Sequence, residues 1–162
     1  MIKINPSQFK KVMGSFASGI TVISINDKDI FYGKTVSSFA SLSLKPPLVS
    51  FALDKRASSL KKYLNTNYLG INILSKNQKS LSLHFSYKKI KWGNIEYFLS
   101  DNKVPMISNS LANIECKKIN TYKAGDHIIF ICKVISSNVL KRKKPLIYFQ
   151  NKYIFKFNQL IN

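Results

Sequence analysis

Two kinds of hydrophobic spacing divide the chain. Near its start Phe9, Val12, Met13 and Phe16 recur on one helical face. Asn5-Pro6-Ser7-Gln8 just before them is a helix start: Asn5 can cap, Pro6 suits the first helical position, and Gln8 stands three after the cap. This helix is expected to lie over the rest of the molecule as a cover, and Ala17-Ser18-Gly19 to break it. Beyond it, short apolar runs bounded by turn residues take over. Residues 20–25 read as a strand, Asn26-Asp27-Lys28-Asp29 as a turn, and residues 30–36 as the returning strand of a hairpin, with Gly33 allowing a bulge or a close ligand approach. A hydroxyl-rich segment, 35–43, leads to Pro46-Pro47 and an apolar strand, 48–53. Ser58 or Ser59 should cap a short helix that runs to about Asn65. Residues 68–74 alternate as a strand, and 77–85, with Leu81 and Phe85 four apart, predict a helix. Residues 86–104 carry the weakest pattern and read as a loop pinned by Trp92. Residues 128–136 form a further strand. Many short strands with regularly spaced turns predict a mainly β fold, an antiparallel barrel with a few peripheral helices, as one domain over residues 1–162.

Composition supports a packed core: of 162 residues 45% are hydrophobic and 12% aromatic. The opening M-I-K-I-N-P-S-Q-F-K-K has no apolar core of the kind a secretory signal needs. The most apolar run, 128–135, is too short to span a bilayer and contains Lys133. These features predict a cytoplasmic protein without a membrane segment. Cys116 and Cys132 fit reduced, buried thiols and make no zinc pattern. The net charge of +19, from 26 Lys and Arg against 7 Asp and Glu, invites nucleic acid or another anionic partner. The charges are spread along a chain rich in Lys, Asn and Ile, with one dense run at 141–144, so compositional bias accounts for them equally well.

Candidate chemistry concentrates in Asp54-Lys55-Arg56-Ala57-Ser58-Ser59. A cationic turn with two hydroxyls at a helix start can hold a phosphate, through outward N–H groups and charge-assisted hydrogen bonds. It can also be an ordinary exposed turn with a capping serine. Asp54 is better suited to shaping the turn than to facing an anion. The chain has no G-x-G-x-x-G, no clustered carboxylates for a metal, and no nucleophile triad around His127. Lysines 88, 89 and 91 around Trp92, with Tyr97 and Phe98 beyond, could instead bind single-stranded nucleic acid, its bases stacking on the aromatics.

The segment 33–59 resembles the signature of the flavin reductase family, whose members fold as FMN-binding split barrels. Gly33-Lys34-Thr35-Val36-Ser37-Ser38, Ser41-Leu42-Ser43-Leu44-Lys45-Pro46-Pro47-Leu48 and the basic turn ending in Ser58-Ser59 stand in the family's order. Lys34 and Lys45 depart from it, at slots where members more often carry an apolar and an acidic residue. The likeness continues through Ile71-Asn72-Ile73-Leu74, the Pro105-Met106-Ile107 turn, the Leu111-Ala112-Asn113-Ile114-Glu115-Cys116 strand, Gly125-Asp126-His127 and a closing hairpin over 145–153. It implies NADH- or NADPH-dependent reduction of FMN, with FAD as an alternative flavin. Thr35, Val36, Ser37 and Ser38 would face the isoalloxazine edge, and Lys55, Arg56, Ser58 and Ser59 would hold the phosphate. Ser50, Phe51, Asn72 and Phe85 complete the implied cofactor contacts, and His127 would line the nicotinamide path. A homodimer with flavin near its interface is also implied, and a diffusing reduced flavin could serve a monooxygenase. Two other readings stay open: a flavin-binding electron carrier without reductase activity, and a basic β-barrel that binds nucleic acid.

Overall fold

A computed structural model describes residues 5–87, 92–140 and 143–155. The lysines at 88, 89 and 91 and the first half of the dense basic run at 141–144 lie outside the described residues.

Helix α1, Pro6–Gly14, starts as its sequence dictates: the Asn5 side chain accepts the Gln8 N–H at 2.8 Å, and Pro6 occupies the first turn. Strands β1 (Ser18–Gly19), β2 (Thr21–Asp27), β3 (Ile30–Val36), β4 (Ala40–Leu44) and β5 (Pro47–Asp54) follow, then α2 (Leu60–Asn65) and β6 (Tyr68–Ile73). A 3-10 turn (Lys76–Gln78) runs into α3 (Lys79–His84). The rest is β7 (Tyr97–Leu99), β8 (Pro105–Ile107), β9 (Ala112–Ala124), β10 (His127–Val139), β11 (Ile147–Phe149) and β12 (Lys152–Ile154). The β2–β3 turn places Lys28 and Asp29 at φ 53° and 63°, the left-handed pair that a two-residue hairpin requires.

Seven strands form one antiparallel sheet in the order β3-β2-β6-β9-β10-β5-β4. Its two outer strands, β3 and β4, are joined by residues 37–39 alone. Laid flat, strands that far apart in the order would be separated by about 29 Å. The connection can span at most about 14 Å. The sheet must therefore curl until its edges meet, and Ser38 stitches the seam: its Oγ accepts the Ala52 N–H at 2.9 Å and donates to the Ala52 carbonyl at 3.2 Å. The interior holds Ile23, Ile25, Phe51, Leu53, Leu69, Ile71 and Phe130, with the Phe51 and Phe130 rings stacked at 4.8 Å. A second core, around Val22, Leu74, Phe85, Trp92, Ile107 and Leu146, lies on the opposite face of β2. Trp92 sits in an aromatic cluster with Phe31, Phe85 and Tyr97. Among the described residues no helix is long and apolar enough to cross a membrane.

Three expectations change. The apolar face of α1 and of the turn after it is left largely bare by the described residues: Phe9, Val12, Met13 and Phe16 are 50–74% exposed. Phe9, Met13 and Phe16 border an open groove with Ser37, Phe39 and Tyr148 that the described residues leave unfilled. Gly33 makes neither a bulge nor a ligand approach; β2 and β3 pair without a register shift, and a Cβ there would lie 2.4 Å from the Phe85 ring. Pro105-Met106-Ile107 is a buried strand paired with β7, not a turn.

Candidate functional site

Strand β5 alternates strictly, so Val49, Phe51 and Leu53 point into the barrel while Ser50, Ala52 and Asp54 stay half-exposed on the other face. The chain leaves this strand at Asp54, whose carboxylate organises the turn. It accepts the Arg56 N–H at 2.8 Å and the Arg56 guanidinium, Nη2 to Oδ2, at 2.7 Å, while the Asp54 carbonyl accepts the Ala57 N–H at 2.9 Å. The hydrogen bonds from Arg56 hold the Asp54 carboxyl far below the usual carboxylate range. Asp54 thus shapes the turn, as its chemistry suggested.

The turn borders a groove of about 320 Å³. Asp54, Arg56, Ala57, Ser58 and Ser59 line it from the turn, Lys34 from β3, and Ser86 and Tyr87 from just beyond α3. Lys55 is not among the lining residues: its ammonium donates to the Gly125 carbonyl and its N–H to the Asp126 carbonyl at 2.9 Å, tying the turn to the β9–β10 hairpin. Lys34, Ser86 and Tyr87 were missed from sequence. Lys34 is half-buried, and its Nζ donates to the Ser86 carbonyl at 2.9 Å. Desolvation lowers its pKa from the ordinary lysine value, a pull that nearby Asp54 partly opposes. The available signal was its departure from the family pattern, a cation where an apolar side chain is usual.

The segment 35–38 divides. Thr35 is consumed by the fold: its N–H donates to the Phe85 carbonyl at 3.1 Å and its hydroxyl to the Ser82 carbonyl at 2.7 Å, clamping α3 to β3. Val36 is buried against the interior core. Ser38 is the seam residue described above, which leaves Ser37 as the exposed hydroxyl bordering the α1 groove.

Three other expected contacts lie inside the molecule. Phe51 is 1% exposed, on the interior face of β5, opposite to Ser50. Phe85 is fully buried and fills the space that Gly33 leaves. Asn72 is fully buried with its amide wholly engaged. It donates to the Val22 carbonyl and to Ser24 Oγ, both at 2.9 Å, and accepts from the Ile107 N–H at 2.7 Å and Asn113 Nδ2 at 2.8 Å. The structure therefore gives these side chains packing and bonding roles: β alternation turns Phe51 and Asn72 into buried layers, and Phe85, at the end of α3, packs against Gly33.

His127 opens β10 directly opposite Asp54 on β5. Its Nδ1 lies 2.7 Å from an Asp126 carboxylate oxygen, and this hydrogen bond lowers the Asp126 pKa. The same pairing sets Ile129 beside Ala52 and Ile131 beside Ser50. A half-exposed strip of small and apolar side chains thus runs along β5 and β10 from His127 to the seam. The structure gathers His127, Arg56, Ser58, Ser59 and Ser50 around one end and one face of this strand pair.

Comparison with known proteins identifies the family. Residues 13–154 match the family described as "Flavin reductase like domain". The reductase subunit HsaB of a flavin-dependent monooxygenase from Rhodococcus jostii is 31% identical over 93% of this chain and 77% of its own length. The "FMN reductase (NADH) SmoA" of Agrobacterium fabrum is 33% identical over 81% of this chain and 75% of its own. Among solved structures, flavin reductase PheA2 in its native state superposes with a TM-score of 0.87 at 33% identity, covering 93% of this chain and 97% of that one.

Proposed function

The chain belongs to the flavin reductase family, and on that premise we propose that the Lys34–Arg56–Ser58–Ser59 groove receives the flavin phosphate while the strip from Ser50 to His127 receives the ring system. The protein is an NAD(P)H-dependent flavin reductase that uses FMN, with FAD as the alternative, and supplies reduced flavin of the kind a monooxygenase consumes. NADH is the expected reductant, since two relatives bear it in their names.

The residues present fit such a cofactor. Lys34, the Asp54-paired Arg56 and the hydroxyls of Ser58 and Ser59 around one small groove suit a phosphate. The small side chains of Ser50 and Ala52, flanked by Ile129 and Ile131, suit a flat apolar ring with polar edges. When bound, the flavin supplies the redox chemistry by accepting a hydride from the reduced nicotinamide. The chain's own part is to bind, orient and exclude water. Arg56, held by Asp54, presents its guanidinium N–H donors at the groove without having to be ordered first. His127, at the strand end and braced by Asp126, is placed to orient the nicotinamide amide rather than to move a proton. The observation that carries the reading is the pairing of His127 with Asp54, which sets the cationic turn and the imidazole side by side.

A homodimer belongs to the same proposal. The bare faces of α1 (Phe9, Met13, Phe16) and of β9 (Ile119, Tyr122) support it, since they leave large apolar side chains at least half exposed. The continuous sheet supports a single domain over residues 1–162. A nicotinamide reductant and two free buried thiols suit the cytoplasm.

The deciding experiment is anaerobic stopped-flow absorbance of FMN-loaded protein mixed with NADH and, separately, NADPH. Rapid bleaching of the oxidised flavin band with either is expected. Retained flavin with no bleaching by either would replace the reductase with a flavin carrier. Light scattering of the loaded protein should give twice the chain mass.

A further inference from the structure

The turn carries two cations in sequence, yet neither is an unencumbered phosphate ligand. Lys55 faces the β9–β10 hairpin and donates to Gly125. Arg56 lines the groove, but its guanidinium is already paired with Asp54 at 2.7 Å. Among the described residues the remaining cation lining the groove is Lys34. It comes from a different strand, and among the described residues it forms no ion pair. Its single recorded side-chain bond, to the Ser86 carbonyl at 2.9 Å, anchors the ammonium at the groove while leaving further N–H donors to spare. Half-burial strips part of its hydration, so an anion arriving there meets a stronger field than at an exposed lysine.

We infer that Lys34 is a cofactor-specificity residue, whose ammonium takes the terminal monophosphate of FMN and makes this protein prefer FMN over riboflavin and FAD. The inference rests on the groove being the flavin phosphate subsite. A terminal phosphate monoester carries close to two negative charges at neutral pH. Each phosphate of a pyrophosphate diester carries one, and riboflavin carries none. A single partly dehydrated ammonium beside an already neutralised Arg56–Asp54 pair therefore rewards the monoester most. The position is the one where the family resemblance calls for an apolar side chain, so the preference belongs to this chain's own sequence.

The test is flavin fluorescence quenching on flavin-free protein titrated with FMN, FAD and riboflavin. Wild type is compared with Lys34→Met, Lys34→Arg and the double variant Ser58→Ala/Ser59→Ala. Lys34→Met is close in length and removes only the charge and its donors. It should weaken FMN by about tenfold or more, weaken FAD less, and leave riboflavin unchanged. Lys34→Arg should keep most of the FMN affinity. The inference is overturned if Lys34→Met leaves FMN affinity intact while the serine variant lowers it, which keeps the groove but removes Lys34. Equal losses for FMN and riboflavin would also overturn it, since the lysine would then be supporting the fold or the ring site. If both variants leave FMN unaffected, the groove itself is the wrong phosphate site and the inference falls with it. Riboflavin binding in each variant shows that the ring site is folded.

Discussion

Two polar clusters in this protein look alike on paper and behave as opposites. One is the buried knot of Ser24, Asn72, Asn113 and Ser110 beneath β8. The other is the groove of Lys34, Arg56, Ser58 and Ser59. In the knot the Asn72 amide engages four partners, Ser24 Oγ donates to the Pro105 carbonyl at 2.6 Å, and Ser110 Oγ donates to the Ile107 carbonyl at 3.0 Å. These bonds satisfy the backbone of β8, which pairs with β7 on one side only and would otherwise bury orphan groups. In the groove, Asp54 fixes the turn and leaves cationic and hydroxyl groups facing an open space. The difference teaches which polar residues belong to the fold. A polar side chain that closes its own hydrogen bonds in a water-free core stabilises the fold, and one held in place beside a cavity is available for a ligand.

That contrast can be broken most forcefully at Asn72. Asn72→Ala should leave the Ile107 N–H and an Asn113 donor unsatisfied, at about 1–3 kcal/mol for each buried group. A matching fall in the urea midpoint is expected. An unchanged midpoint with lost flavin affinity would make Asn72 a ligand residue after all. Next in size is Arg56→Ala with Ser58→Ala. FMN binding should weaken by tenfold or more, about 1.4 kcal/mol for each tenfold, with stability within about 0.5 kcal/mol of wild type because the groove is exposed. Unaltered fluorescence quenching would remove the phosphate assignment. A smaller effect is expected for His127→Ala, which should slow flavin reduction in single-turnover measurements more than it weakens flavin binding. Equal rates would reduce His127 to a strand-end residue.

The last comparison involves the core thiols and should show no effect in the native protein. Burial pushes the Cys132 thiol from the usual 9.0 up to about 12, and Cys116 upward as well. Neither should react with iodoacetamide at pH 8 until the protein unfolds. The sign follows from proton binding. Above about pH 9 the unfolded chain has released these protons while the folded one keeps them, so their contribution to stability is lost as pH rises toward 12. Alkylation of the native protein at the unfolded rate would show that the interior opens.

The chain by itself determined most of the architecture. Turn residues and short apolar runs placed the strands at 30–36 and 48–53 to within a residue, because turn chemistry is local. The Asn5-Pro6 start fixed α1, because capping is a local bond. The basic turn was legible as a phosphate candidate, since its residues are contiguous. Tertiary structure alone decided which of those residues face the groove. Lys55 is adjacent to Arg56 in sequence but points to the next hairpin, while Lys34 reaches the groove from 22 positions earlier because β3 and β5 meet where the sheet closes. Closure also sealed Phe51 inside the barrel, β8 covered Asn72 on the outer face of β6, and the apolar face of α1 was left bare. Local spacing states which side chains share a face. Only the path of the curled sheet states what that face meets.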